Sequence, residues 1–257
     1  MNRKPTSPAG PSDSKAPAVR PPADLGILGG MGPQATHYLT AELLTAIEAR
    51  HRPRRDQDYP SIFVRYACHL PDRTSALLTD RGPLVRAIAR EAETLVELGC
   101  SQILMPCITA HALLDSELSG FPFIDVRKVV ATHIASSFAR ATVGILATRG
   151  ARVSGVVDKL LPNAQKAVSL DDQEEERLMH FIYGEAKTSG GGKDISTLRD
   201  LANKLRQRGG DLIIAGCTEV EMCLARDVTE EDGFLFPLRT AARFFAATWS
   251  RKTSFEG

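Results

Sequence analysis

From Asp24 onward, short and continuously apolar runs alternate with longer segments whose apolar residues recur at helical spacing. The runs at 25–28, 61–67, 101–105, 143–146 and 212–215 are too short for stable helices and read as buried strands. Residues 121–126 and 234–237 read as two further short strands. Between them, 34–50, 84–98, 109–118, 151 to about 161, 171–187, 195–208 and 218–225 read as helices, with a last one from about 238 through Trp249. Gly99 closes the second helix, and acidic residues open the helix at 171, as the helix dipole favours. The 189–192 stretch breaks the pattern. Thr218 and Glu221 have the spacing of a capping box, which places a helix start just after Cys217.

Strands that alternate with helices predict parallel sheets covered by helices. The series runs once to about residue 126 and restarts near 143. The fold class is therefore α/β, with two pseudo-symmetric lobes, each a parallel β-sheet flanked by helices, and an active site in the cleft between them. We expect the first lobe to comprise 23–126 plus about 238–257 and the second 127–237. Residues 1–22, rich in Pro, Ser, Ala and Lys, read as a disordered tail.

Two of the five cysteines occupy matching places. Cys107, in Pro106-Cys107-Ile108-Thr109, and Cys217, in Gly216-Cys217-Thr218-Glu219, each follow a strand and precede a helix. The free N–H groups of a helix start favour thiolate over thiol. Two such thiols facing one carbon supply a base and an acid on opposite sides, the requirement of a racemase or epimerase that works without a cofactor. Cys68, Cys100 and Cys223 are assigned to packing. His111, one turn beyond Cys107, either serves the thiol or holds the loop, and Glu219 is either a helix-start charge or a thiol partner. Gly30-Met31-Gly32-Pro33-Gln34-Ala35 fits a dinucleotide-type glycine loop. No acidic residue ends the second strand, so these residues read as a tight turn that lines the cleft.

Composition narrows the classes. The 257 residues suffice for one large or two modest domains, and a net charge of +1 gives no basic field for nucleic acid or acidic membranes. No apolar run is long enough to cross a bilayer, and the N-terminus lacks a signal-peptide core; a cytoplasmic protein is expected. An odd cysteine count argues against a disulfide framework, and the zinc spacings C-x-x-C and H-E-x-x-H do not occur, so no metal is expected.

Five segments taken together resemble the aspartate/glutamate racemase family: 26–33, Leu70-Pro71-Asp72-Arg73-Thr74, 106–111, Ile182-Tyr183-Gly184-Glu185-Ala186-Lys187 and 216–219, in family order. The resemblance implies two α/β lobes, usually a homodimer, and no pyridoxal phosphate or metal. It implies that Cys107 and Cys217 are the catalytic pair and that the partner is a small amino acid or dicarboxylic acid. Arg55 and Lys187 match basic positions that handle carboxylates; Thr109, Thr148 and Thr218 match carboxylate-binding positions. With Met31, Gly32 and Glu219 these are the candidate substrate contacts. The chain departs from the family pattern at Ile108, where an asparagine is usual, and at Ala67-Cys68, where amide side chains are common. A same-fold decarboxylase or cis–trans isomerase of a non-amino dicarboxylic acid, or a non-catalytic binding protein, is the alternative.

Overall fold

The computed structural model describes residues 23–163, 165–188 and 194–250. The expected tail at 1–22, the break at 189–192 and the residues beyond 250 lie outside the described residues.

Two parallel sheets form the frame. In the first, β1 (Leu25–Gly29) lies between β2 (Ile62–Tyr66) and β3 (Ile103–Leu104), with Leu25 opposite Ile62 and Ile27 opposite Leu104. In the second, β4 (Val143–Ile145), β5 (Ala167–Val168), β6 (Leu212–Ile214) and β7 (Phe234–Leu235) stand in the order β5-β4-β6-β7. Parallel neighbours need crossovers on the sheet faces, which is why the central strands read as unbroken apolar runs. The expected strand at 121–126 contributes a single bridge, Ile103 to Phe123.

The helices are α1 (Pro33–His51), α2 (Arg73–Leu78), α3 (Gly82–Glu97), α4 (Val126–Ser137), α5 (Arg149–Val153), α6 (Asp172–Phe181), α7 (Ser196–Gln207) and α8 (Thr218–Leu224), with α9 (Pro237–Thr248) after the last strand. α1 opens on Pro33, whose missing N–H costs nothing in a first turn, and buries Ala35, Leu39, Leu43 and Ile47 on one stripe. α9 lays Leu238, Ala241, Ala242, Phe245 and Ala246 against α1 and α4. This core joins β1 residues Leu25 and Ile27 to Val143, Leu212 and Ile214 of the second sheet.

Several elements differ from the sequence expectation. The segment after Cys107 is a 3₁₀ helix, Ile108–Leu113, followed by turns. In place of the expected helix from 151 to about 161 stand the short α5, turns and a 3₁₀ turn at Asp158–Leu160. The helix from 171 widens into a π-helical turn, Ile182–Ala186, just before Lys187. α8 does begin at Thr218, yet Glu221 does not cap it. Its buried carboxyl instead accepts the N–H groups of Leu238 and Arg239 at 2.8 and 2.9 Å, capping α9. Burial pushes that carboxyl up to about 8, against the pull of these two N–H donors.

Candidate active site

Each thiol follows its strand by three residues. Cys107 stands at the N-cap of the 3₁₀ helix after β3, and Cys217 at the N-cap of α8 after β6. Both are buried, and both line one small cavity between the sheets. Its other walls come from Met31 after β1, from Asp72, Arg73 and Thr74 at the start of α2, and from Ile108, Thr109, Thr148, Tyr183, Lys187, Thr218 and Glu219. The wider surface clefts beside Arg152, Arg50, His37 and His180 have no thiol in their walls.

The two sulfurs meet opposite charges. Arg73 is mostly buried; burial works against its charge, but attraction to Cys107, Asp72 and Glu219 outweighs this and holds the guanidinium protonated. Its Nη1 and Nη2 donate to the carbonyls of Pro71 and Met31, both at 3.0 Å. Cys217 has an anionic neighbour instead: its Sγ donates to Glu219 Oε2 at 3.1 Å. Burial first, then the Glu219 charge, pushes the Cys217 thiol well above its ordinary value, while the Val220 N–H and Lys187 pull weakly the other way.

Hydroxyls and a cation complete the site. Thr109 and Thr148 share a hydrogen bond of 2.9 Å between their side chains, and Thr148 also accepts the Ala151 N–H at the start of α5. Thr218 Oγ1 donates to Glu219 Oε2 at 3.1 Å. Lys187 Nζ lies 3.9 Å from Glu219 and 4.0 Å from Asp72, over the Tyr183 ring. Tyr183 O–H donates across the cleft to Asp72 Oδ2 at 2.9 Å. Burial raises the Asp72 carboxyl, but the Ser75 N–H, Tyr183, Lys187 and Arg73 more than offset it, so the group sits below the usual carboxylate range.

Of the residues expected from sequence, Cys107, Cys217, Met31, Thr109, Thr148, Lys187, Thr218 and Glu219 come together at this cavity. Gly32 adjoins it: a Cβ there would stand 2.7 Å from Glu219 Oε1. Arg55 does not reach it. Its side chain is 68% exposed and pairs with Asp58 at 3.3 Å. His111 holds the loop rather than the thiol, since its Nδ1 bonds the Cys107 carbonyl at 2.9 Å. A carbonyl only accepts, so Nδ1 carries the hydrogen; burial holds the ring below the usual histidine range. Cys68 is exposed rather than packed, and neither it nor Ala67 lines the cavity. Sequence reasoning assigned no role to Asp72, Arg73 or Tyr183. The signal was present in the 70–74 and 182–187 segments, although neither lies at a strand end. Among the described residues no group of three His, Cys, Asp or Glu side chains is placed to hold a metal ion, and no helix is long and apolar enough to cross a membrane.

Two parallel sheets with a thiol at the carboxyl end of a strand in each define an α/β protein with its site between sheets. The model of the Asp/Glu/Hydantoin racemase family matches residues 28–234, so the chain belongs to that family, a family of isomerases. The broad specificity amino-acid racemase RacX of Bacillus subtilis (strain 168) is 23% identical over 202 residues, covering 78% of this chain and 87% of RacX. Among solved structures, aspartate racemase of Picrophilus torridus superposes with a TM-score of 0.69 at 23% identity, covering 87% of this chain and 94% of its own. Glutamate racemase isoform RacE1 of Bacillus anthracis gives 0.59 at 16% identity, over 88% and 80%.

Proposed function

We propose that this chain is an amino-acid racemase that works without a cofactor and uses Cys107 and Cys217 as a two-sided acid–base pair. The observation that carries the reading is the pair of buried thiols on one cavity, one beside a cation and the other bonded to a carboxylate. In this reading Cys107, opposite Arg73, takes the α-proton in its thiolate form and becomes a thiol. The electron pair left on the α-carbon spreads into the substrate carboxylate as an ene-diolate. Thr109, Thr148 and Thr218 hydroxyls with Lys187 hold that charge. Cys217, kept as a thiol by Glu219, then delivers its proton to the opposite face and becomes the thiolate. The other enantiomer runs the same steps in reverse, and proton exchange with solvent resets the pair.

Asp72 and Glu219 beside Lys187 give a substrate ammonium its partners, which favours an amino acid over a non-amino dicarboxylic acid. A homodimer, as the family resemblance implies, is part of the same reading.

The test is proton NMR in D2O with L- and D-amino acids. Wild-type protein is expected to replace the α-proton by deuterium and to invert the centre. Cys107→Ser and Cys217→Ser are each expected to lower inversion by a factor on the order of 10² or more, the usual contribution of a placed acid or base. Absence of cysteine-dependent exchange with every amino acid would overturn the proposal.

A further inference from the structure

Resting on the racemase reading, we infer that Glu221 is a positioning residue: it holds Cys217 in place opposite Cys107 by tying the start of α8 to α9 and α1. Four positions after each thiol stands a fully buried polar side chain, His111 after Cys107 and Glu221 after Cys217. Neither takes part in the proton transfer, and a buried polar group is costly unless it is bonded. His111 holds its own loop through the Cys107 carbonyl. Glu221 reaches further. It lies outside the segments that carry the family resemblance, as do Tyr38, Glu42 and Arg239 around it.

α9 cannot cap itself. Phe236 at its N-cap offers no side-chain acceptor, and Pro237 at its first position has no N–H, so the free donors of its first turn are the Leu238 and Arg239 N–H groups. The two Glu221 oxygens take one each, at 2.8 and 2.9 Å. From α1, Tyr38 O–H donates to Glu221 Oε1 at 3.4 Å, and Glu42 accepts from the Arg239 guanidinium at 2.9 and 3.1 Å. Burial keeps Glu221 protonated at neutral pH, so its cluster with the Arg239–Glu42 pair holds no uncompensated charge. The same residue sets the thiol. Glu221 N–H donates to the Cys217 carbonyl at 2.9 Å, and the Val220 N–H beside it faces the sulfur. α8 has only seven residues, so its direction depends on what anchors it, and any tilt of its first turn moves Cys217.

The experiment measures α-deuteration and inversion separately in D2O, starting from the L and the D forms of aspartate, glutamate and alanine. Wild type is compared with Glu221→Gln, with Cys107→Ser and Cys217→Ser alongside. Glutamine has one acceptor oxygen where the carboxyl has two, so one N–H of α9 loses its partner and the clasp loosens. Inversion needs both thiols and is expected to fall by about tenfold or more in either direction, because a small misplacement of a reacting group is costly. Deuteration is expected to split by enantiomer. The enantiomer that Cys107 deprotonates keeps exchanging with retention, since that thiol returns a solvent deuteron to the same face. The enantiomer that Cys217 deprotonates loses exchange together with inversion. A general loss of structure would lower both alike. Should Glu221→Gln fail to fold by circular dichroism, Glu221→Asp, which draws the carboxyl one methylene back from α9, carries the same test. Wild-type inversion in a folded variant, or deuteration lost equally from both enantiomers, overturns this inference and leaves the racemase reading standing. No cysteine-dependent exchange by the wild-type protein with any of these amino acids overturns both.

Discussion

Glu219 accepts hydrogen bonds from Cys217 and Thr218 on one oxygen and faces Lys187 with the other. Its charge is a main reason, after burial, that the Cys217 proton is held so firmly. Glu219→Gln keeps the shape and removes the charge, so the thiol ionises at lower pH and the proton-donating form is lost sooner. The alkaline limb of the kcat/KM profile is therefore expected to move to lower pH, read from initial rates across a pH series; a limb that stays in place would show that Cys217 is not the titrating donor. At this scale the sequence was legible where chemistry sits directly after a strand: Cys107, Thr109, Cys217, Thr218 and Glu219 all lie within five residues of one. Arg73 was legible as part of the 70–74 segment but not as a neighbour of Cys107, because it stands 34 positions earlier in the chain. Arg55 misled for the converse reason. The basic run around it belongs to the exposed surface, and Asp58 claims its side chain.

The starts of α2 and α5 meet across the cleft with almost no gap. A Cβ on Gly150 would stand 2.7 Å from the Thr74 Cα, a backbone atom that cannot swing away. Gly150→Ala is expected to hold the two helix starts apart, pulling Thr148 from Thr109 and Tyr183 from Asp72. The expected result is a loss of kcat/KM of tenfold or more with a folded circular dichroism spectrum retained; wild-type kinetics would refute it. Gly30 makes a similar demand elsewhere, with φ of +89° and its Cα packed on the Ala67 backbone. Long elements with one apolar stripe, such as α1, α3 and α7, were legible to within two residues. α4 was not: its Val-rich sequence has weak helical preference, and Asp125, which reads as a strand end, is its N-cap. β5 has only two residues, too few for any alternation to register.

The largest core cluster does not respect the division between the sheets. α1, α4 and α9 cover strands of both, and Phe245 of α9 is 1% exposed within it. Phe245→Ala removes a ring from a site that cannot collapse fully, at a cost of about 3–5 kcal/mol. Because that core is shared, both sheets are expected to lose stability in a single transition. Urea unfolding followed by Trp249 fluorescence and by circular dichroism would check this. Two separated transitions, only one of them moved by the substitution, would contradict it. The overall architecture was legible because strands and helices alternate twice along the chain. α9 packs on α1 across some 200 positions of chain. This return of α9 to α1 has a consequence during synthesis. The stripe of Leu39, Leu43 and Ile47 emerges from the ribosome early, and the part of its cover that α9 supplies follows only near residue 245. Until α9 arrives, a nascent chain carries that part of an apolar helix face open, and such a face is what a chaperone binds.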